Sequence, residues 1–518
     1  MKKSISYFSY CLCAALYIFC TLATATDDIN TTASIGSSAS TESKLLQTAD
    51  LQADFALLRR AYETLHPGLR RYNTPAQLDQ HFKVLQDALS HDQTLQDAYS
   101  RFSEFTAKIK CGHSYPNFFN QRKAVAAELF DKPSLPFTFR WVNQRMVITQ
   151  NFSEDVRLVA GTEIESVNGI AASKILQRLL PIARADGSND AKRRDYLQLQ
   201  GDSKFEAFDV YYPMYFPSSD PKLNLVVRLP GAARTAEISV TRMRGSVRFA
   251  RIKLTINGLT STEPAAVEAK DAPAWKLETQ NTRYAVLRMP TWALYNSKWD
   301  WKAFLKNTFD DLNERAVPNL VIDLRGNEGG DSVGNEILSH LIDRDLPLPL
   351  FQRQTRYRKV PDDLSPVLDT WDPSFKDWGD KAIDLNNGFF RMTRYDDDAN
   401  GDVIKPTSPR YRGKVFVIVG ATNSSATFEF AQQIQTFKLG KLVGQTTGGN
   451  QRGINGGAFF FLRLPKSGIE IDLPLIAFFP KAAKPDAGLN PDIAAPITAA
   501  NIARGLDAEM AAIQKIKP

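Results

Sequence analysis

The clearest structural signal in the chain is the stretch Lys414-Val-Phe-Val-Ile-Val-Gly-Ala-Thr-Asn-Ser-Ser-Ala-Thr-Phe-Glu429. Residues 415–419 are apolar and mostly β-branched, which predicts a buried strand. Residues 422–424 are of helix-capping types, and the apolar spacing from Ser425 to Phe437 predicts a helix. The first backbone N–H groups of a helix have no intrahelical partner and stabilise negative charge. The Ser425 hydroxyl is therefore a candidate nucleophile, or else part of a simple helix cap.

A second predicted strand, upstream of the first, ends in a glycine-rich turn. Its sequence is Asn319-Leu-Val-Ile-Asp-Leu-Arg-Gly-Asn-Glu-Gly-Gly-Asp331, with three glycines in five residues. Such a turn bends tightly and exposes its backbone N–H groups, so it can supply a second donor for an oxyanion. The alternative is an ordinary tight turn in which Asp323 and Arg325 pair for structural reasons.

Together the two stretches resemble the serine peptidase family of the tail-specific, or C-terminal processing, proteases and the tricorn core protease. The resemblance covers roughly residues 280–495 and rests on four motifs in sequence order: Val321–Gly330, Asn423–Ala426, Leu442–Gly449 and Gly488–Ile493. It implies a multidomain α/β protein with a ClpP/crotonase-like catalytic domain. Retinoid-binding repeats of the eye share that fold without the activity.

The family uses two catalytic arrangements, which differ in the general base. Tail-specific proteases take a lysine that follows the glycines of a Gly-x-x-Thr-x-Gly-Lys segment, whereas Gly444-Gln-Thr-Thr-Gly-Gly-Asn450 has none. The tricorn-like branch uses a histidine in an N-terminal Gly-His segment, and Lys110-Cys-Gly-His-Ser-Tyr115 is similar to it. The resemblance thus implies Ser425 as nucleophile and His113 as base. Imidazole accepts a proton near neutral pH, as a serine nucleophile requires.

The remaining site residues also follow from the resemblance. The N–H groups of Ala426 and of Gly329 or Gly330 are expected to form the oxyanion hole. The tricorn-like branch carries a glutamate shortly before its Gly-x-x-Pro-Asp motif, where this chain has Pro485-Asp486. Asp486 is the first choice for the group that orients the imidazole, and Glu470 is the second.

Composition is that of an ordinary globular protein. The 518 residues are 43% hydrophobic and 23% charged, with a formal net charge of +7. This length predicts two or three domains. No dense basic stripe with interleaved aromatic residues is present, so nucleic acid is not an expected partner. The expected partner is a peptide or unfolded-protein substrate, and no metal or other cofactor is expected.

The first residues have the pattern of an export signal. Lys2 and Lys3 precede an apolar run from Tyr7 to Leu22, and Ala23-Thr-Ala25 is a small-residue cleavage site. We therefore predict a signal peptide at 1–25, a periplasmic or secreted location, and no stable membrane insertion after cleavage. Cys111 is the one cysteine left after that cleavage, and its place beside His113 makes a cysteine nucleophile an alternative.

Four further segments are predicted downstream of the signal. A disordered leader at 26–44 and a helical N-terminal domain at 45–120 come first. A PDZ-like domain at 130–245 would bind extended peptides by strand addition or act as a spacer. The catalytic domain at 280–500 contains an insertion, 350–412, long enough for a lid. Within the insertion, Asp396–Asp402 resembles the start of a calcium loop without its final glutamate, so a hairpin turn is expected.

The function predicted from these features is that of an exported serine endopeptidase acting through an acyl-enzyme intermediate. Two alternatives remain open from the sequence. One is a catalytically inactive peptide- or ligand-binding protein of the same fold. The other is an esterase that uses the same groups.

Overall fold

The computed structural model describes residues 45–256, 275–281, 283–295, 297–347, 351–394 and 403–516. The predicted signal peptide, the predicted leader and the stretch Asp396–Asp402 lie outside the described residues. The described chain is a mixed α/β protein of several helical and sheet regions.

The N-terminal region is helical. Its helices are α1 (Thr48–Leu65), α2 (Pro75–Ala88), α3 (Leu95–Ile109) and α4 (Lys123–Leu129). The side chains of Thr74 and Thr94 accept hydrogen bonds from backbone N–H groups at the starts of α2 and α3, which fixes where these helices begin. Lys110 ends α3 in a left-handed conformation with φ of +59°. The chain turns there, so His113 follows directly after a rigid helix.

The middle region is built on an antiparallel sheet. Its elements are β1 (Pro133–Ser134), β2 (Phe137–Val142), β3 (Arg145–Asn151), β4 (Glu163–Val167), β5 (Ile170–Ala171), α5 (Ala172–Leu179), α6 (Asp190–Tyr196), α7 (Ala207–Tyr215), β6 (Lys222–Arg228), β7 (Ala236–Thr241), β8 (Met243–Arg244) and α8 (Gly245–Ile256). The sheet order is β2-β3-β4-β6-β7, and α5 packs on β4.

The outer edge of β2 is already paired by the chain itself. The N–H of Phe139 donates to the carbonyl of Leu199 at 2.8 Å, and the N–H of Leu199 donates back at 3.3 Å. The indole of Trp141 also donates to the carbonyl of Leu197 at 2.8 Å. A peptide that added to this edge would have to displace residues 197–199.

The C-terminal region contains a largely parallel sheet in the order β22-β19-β18-β11-β10-β9. Its elements are β9 (Lys276–Asn281), β10 (Tyr284–Arg288), α9 (Trp301–Glu314), β11 (Asn319–Asp323), α10 (Val333–Ser339), β18 (Lys414–Val419), α11 (Ser425–Thr436), β19 (Lys441–Gly444) and β22 (Ile493–Ala494), followed by α12 (Ala499–Ala503) and α13 (Ala508–Gln514). β11, β18, β19 and β22 run parallel as neighbours. Their carboxyl ends meet at one edge, and the loops that follow them converge there.

The insertion is built into a second sheet in the order β14-β20-β21-β13-β16-β15. The insertion supplies β13 (Phe351–Thr355), β14 (Leu368–Asp369), β15 (Ala382–Asp384) and β16 (Phe390–Met392), which join the hairpin of β20 (Asn455–Arg463) and β21 (Glu470–Pro480). The short strands β12 (Leu346–Pro347) and β17 (Val403–Ile404) pair with each other in a separate two-stranded sheet. Tyr357, Phe375 and Trp378 are buried in a core that also contains the helices α1–α3. This continuous core holds the histidine segment against the hairpin.

Candidate active site

Ser425 has the backbone of a strained turn residue. The predicted strand and helix are present as β18 and α11, and Ser425 begins the helix. Its φ of +51° lies in the left-handed region, which few non-glycine residues adopt. Ser424 is instead extended and buried, and its hydroxyl donates to the carbonyl of Glu328 at 3.2 Å. The two neighbouring serines therefore have different roles, and Ser424 holds the loop together.

The glycine turn lies directly against the start of α11. A Cβ placed on Gly329 would be 2.9 Å from the Cβ of Ser425 and 2.9 Å from the N of Ala426. The two expected oxyanion donors are thus at one place beside Ser425. In this structure the N–H of Gly329 donates to the side-chain oxygen of Asn327 at 3.0 Å. Gly330 packs on the backbone of Trp292, where a Cβ would lie 2.2 Å from the carbonyl oxygen.

Asn423 joins three of the four motifs through hydrogen bonds. Its side-chain NH₂ donates to the carbonyls of Leu324 (2.7 Å) and Asn327 (2.9 Å) in the glycine turn. The backbone carbonyl of Asn423 accepts hydrogen bonds from the N–H groups of Gly448 (2.7 Å) and Gly449 (3.1 Å). Asparagine supplies both donor and acceptor groups at a buried point where loop backbones would otherwise be unpaired.

The fourth motif closes the same edge of the sheet. The N–H of Leu489 donates to the Thr447 hydroxyl at 2.9 Å, and the N–H of Thr447 donates to the carbonyl of Leu489 at 3.0 Å. The carboxylate of Asp492 accepts from the N–H of Leu442 at 2.8 Å. These motifs are therefore structural partners of the loops around Ser425.

His113 is held from the middle region of the chain. The N–H of Gly112 donates to the carboxylate of Asp186 at 2.9 Å, and the carbonyl of Gly112 accepts from the Arg184 guanidinium at 2.7 Å. The imidazole lies 6.0 Å from the ring of Phe459, measured between centroids. Within the described part of the chain, its buried Nδ1 has no hydrogen-bond partner.

Four charged groups surround this imidazole. Burial is the main influence on the pKa of His113 and lowers it. The charges of Asp186 and Glu328 raise this pKa, and those of Arg184 and Lys192 lower it. The net direction is downward, so the ring is neutral at pH 7 and able to accept a proton. The shared influence of Glu328 links His113 to the glycine turn, because Glu328 immediately precedes Gly329.

Glu328 is the centre of an ion cluster that no sequence pattern predicts. The Lys192 ammonium lies 2.5 Å from one of its carboxylate oxygens, and the Arg184 guanidinium lies 3.4 Å from the other. The Glu328 side chain is 50% exposed, and the charges of Lys192 and Arg184 outweigh its partial burial and lower the pKa of its carboxyl group. Glu328 was visible inside the glycine turn, whereas nothing in the sequence marked Lys192, Arg184 or Asp186.

The two carboxylates considered for orienting the imidazole bind other groups. Asp486 accepts from the N–H of Ser188 at 2.8 Å and from the Asn450 side chain at 2.7 Å. Glu470 lies on β21, where its side chain is 3.4 Å from the Arg463 guanidinium. The imidazole of His113 is not among the hydrogen-bond partners of either residue in the described structure.

The described residues contain no cluster of three or more His, Cys, Asp or Glu side chains arranged to hold a metal ion. Nor does any helix among them have the length and apolar character needed to cross a bilayer.

Comparison with known proteins gives one family and a set of similar folds. Residues 283–495 match the model of "Peptidase family S41". The structure of "mature CPAF complexed with lactacystin" has a TM-score of 0.59 at 14% identity, covering 90% of this chain and 97% of that one. The structure of "mature CPAF" has a TM-score of 0.56 at 14% identity, covering 88% and 94%. At this identity the likeness concerns the fold. No curated protein matches the chain.

Proposed function

We propose that this chain, a serine peptidase whose residues 283–495 form a family S41 domain, is an exported endopeptidase acting through an acyl-enzyme intermediate. In this proposal Ser425 is the nucleophile and His113 the general base. The substrate is a peptide or an unfolded protein.

The observation that carries the proposal is the packing of Gly329 against Ser425 and Ala426. It brings a strained serine, the N–H of a helix start and the N–H of a glycine turn to one point. An acyl-transfer site needs this combination, because negative charge develops on the carbonyl oxygen as the hydroxyl adds to the carbonyl carbon. Gly329 suits the role better than Gly330, which is packed on the backbone of Trp292.

The reaction proceeds in two halves. The Ser425 oxygen bonds to the scissile carbonyl carbon while its proton passes to His113, and the oxyanion accepts from the N–H groups of Ala426 and Gly329. The carbonyl oxygen must compete with the Asn327 side chain for the Gly329 N–H. His113 then gives its proton to the leaving amine, and the peptide bond breaks. Water attacks the acyl-enzyme in the same way and releases the second product.

Asp486 takes an indirect role in this scheme. Its carboxylate binds the N–H of Ser188 and the side chain of Asn450, and Asn450 also donates to the carbonyl of Asp186 at 3.1 Å. Asp186 in turn binds the N–H of Gly112. In this proposal Asp486 is a positioning residue, joined to the histidine segment by three successive hydrogen bonds through Asn450 and Asp186.

Labelling with a fluorophosphonate serine probe tests the proposal. The wild-type protein should be labelled, Ser425→Ala should abolish labelling, and Ser424→Ala should retain most of it because its hydroxyl only ties the loop to Glu328. If labelling survived in Ser425→Ala and disappeared in Ser424→Ala, the nucleophile would be Ser424 and the assignment to Ser425 would be wrong by one residue.

An unlabelled wild-type protein would favour the inactive binding protein. Peptidase and esterase activity are separated by offering an unfolded protein and a small aryl ester side by side. Hydrolysis of the ester alone would favour the esterase.

A further inference from the structure

We infer that Lys192, Glu328 and Arg184 form a clamp that sets the spacing of the oxyanion donors and of the histidine segment, with Lys192 and Arg184 as positioning residues. The inference rests on the proposed function, since it gives these residues a task in the same site. It adds a contribution of the middle region to catalysis.

Lys192 bridges the two loops that carry the oxyanion donors. Its ammonium lies 2.5 Å from the carboxylate of Glu328 in the glycine turn and 3.1 Å from the carbonyl of Thr422 in the loop before Ser425. The N–H of Gly329 belongs to the first loop, and that of Ala426 to the second. One ammonium therefore ties together the backbones that present both donors.

The stem of Lys192 is fixed as firmly as its head. Its Cδ lies against Gly448, where a Cβ would be only 2.9 Å away. The side chain is 4% exposed. The next turn of α6 reinforces the contact, because the carboxylate of Asp195 accepts from the Thr422 hydroxyl at 2.9 Å. A lysine this enclosed has little freedom to move away from the two loops.

Arg184 makes the matching connection to the histidine segment. Its guanidinium donates to the carbonyl of Gly112 at 2.7 Å and lies 3.4 Å from the second oxygen of Glu328. The rings of Tyr115 and Tyr196 each lie 4.6 Å from its central carbon. One carboxylate thus connects the glycine turn to the nucleophile loop through Lys192 and to the base through Arg184.

Because the Lys192 charge is buried, the effect of the clamp on loop position can be measured separately from its effect on stability. Removing the carboxylate of Glu328 leaves the enclosed Lys192 ammonium with one carbonyl partner, which destabilises the fold. Removing both charged groups relieves that cost, but the bridge between the loops is still lost. Stability and positioning therefore respond differently to the double substitution.

The test compares Glu328→Met, Lys192→Met and the double variant with the wild-type full chain. The control is Lys174→Met, an exposed lysine on α5 that contacts Gln177. Three readouts are taken: the rate of fluorophosphonate labelling, the melting temperature, and hydrogen–deuterium exchange of the peptides covering residues 324–332 and 420–427.

The clamp predicts faster exchange in both peptides and labelling about 100-fold slower in all three variants, as a displacement of about 1 Å at a reacting centre produces. The double variant should be no slower than the single ones, because all three remove the same bridge. Its melting temperature should return toward the wild-type value from that of Glu328→Met. The control should match the wild type in every readout.

Unchanged exchange in Lys192→Met would overturn the inference, and so would a double variant that recovers wild-type labelling together with its melting temperature. A wild-type protein that the probe does not label would defeat the proposed function instead. Exchange would still decide whether Lys192 and Glu328 hold the two loops, since it does not depend on a reactive serine.

Discussion

Gly329→Ala, paired with Gly326→Ala, is the sharpest test of the oxyanion hole. Both glycines lie in the turn after β11, and both have positive φ, +110° and +79° respectively. They differ in the space beside them. A Cβ on Gly329 would meet the N of Ala426, the O of Ser424 and the Cβ of Ser425, each at 2.9 Å. A Cβ on Gly326 would meet nothing nearer than the carbonyl oxygen of Pro290 at 3.9 Å.

The expected effects on stability and on labelling rate follow from the backbone conformation and from the space beside each glycine. Alanine in a left-handed conformation costs about 1–3 kcal/mol of stability, and both variants incur this cost. Gly329→Ala must also open its contacts from 2.9 Å to an ordinary separation of about 3.5–4.0 Å. A displacement of this size beside the nucleophile, or loss of one donor, lowers the rate about 10²–10³-fold. Gly326→Ala should keep its rate within about threefold of wild type, since an unhindered substitution displaces no reacting group.

Fluorophosphonate labelling rates provide the assay, because the probe forms its bond to Ser425 through the same donors. Circular dichroism and thermal melting check that each variant is folded. If Gly329→Ala is labelled as fast as Gly326→Ala, Gly329 contributes no donor and the geometry assigned to the hole is incorrect.

Three further outcomes are expected. His113→Ala should lower kcat by about three orders of magnitude or more, as loss of a catalytic base does. Lys438 and Lys441, the two lysines between α11 and the segment Gly444–Asn450, come too early for a Ser–Lys dyad, so Lys438→Ala and Lys441→Ala should be near wild type. Steady-state kinetics would reverse the assignment if a lysine variant were the inactive one. Burial lowers the pKa of His113 below its ordinary value of 6.5. In a pH profile of kcat/KM, the acidic limb, where the base becomes protonated, should therefore have its midpoint below 6.5. A midpoint above that value would contradict a desolvated imidazole. Cys111→Ala should remain active. The wild-type thiol should resist iodoacetamide in the folded protein, because burial raises the pKa of Cys111 to about 12. Inactivation by alkylation at neutral pH would instead support Cys111 as the nucleophile.

The elements that the sequence predicted best are those with local patterns. Strand β18 and helix α11 could be placed from an apolar run followed by capping residues, and the helix begins at the expected Ser425. The glycine turn could be placed because positive φ at Gly329 and Gly330 requires that residue type. Parallel pairing of β11 with β18 then brings the two loops together, as the family resemblance implied.

The charged residues around the site had no such pattern. Lys192 and Glu328 are 136 positions apart, and nothing near Lys192 distinguishes it from a surface lysine. Asp186 and Arg184 lie in a loop whose sequence resembles an ordinary connection. Their convergence depends on how the middle region packs against the catalytic sheet, which is tertiary information. For the same reason the motif position of Asp486 could be found, but its partners Ser188 and Asn450 could not.

The insertion is a case in which a local sequence pattern suggested more than the tertiary structure supports. A long aromatic segment between two catalytic strands suggested a lid, yet Tyr357, Phe375 and Trp378 are buried in the core that the insertion shares with β20 and β21. Trp371 is partly exposed, as are Phe389 and Phe390, and it lies 5.9 Å from Phe459, the ring next to His113. Trp371 therefore places a partly exposed aromatic ring of the insertion on the histidine side of the site.

The unit of function is larger than the segment that matches the family. Residues 283–495 contain Ser425, the glycine turn and the loop contacts of Asn423. The proposed base, His113, and the cations that bind Glu328 come from outside that segment. The hairpin of β20 and β21 also shares its core with the N-terminal helices, so the segment alone would expose that apolar face to water. The proposed nucleophile and oxyanion donors come from the loops of one parallel sheet, whereas the proposed base and the cations around Glu328 come from the helical and middle regions, so we expect activity to require those regions as well.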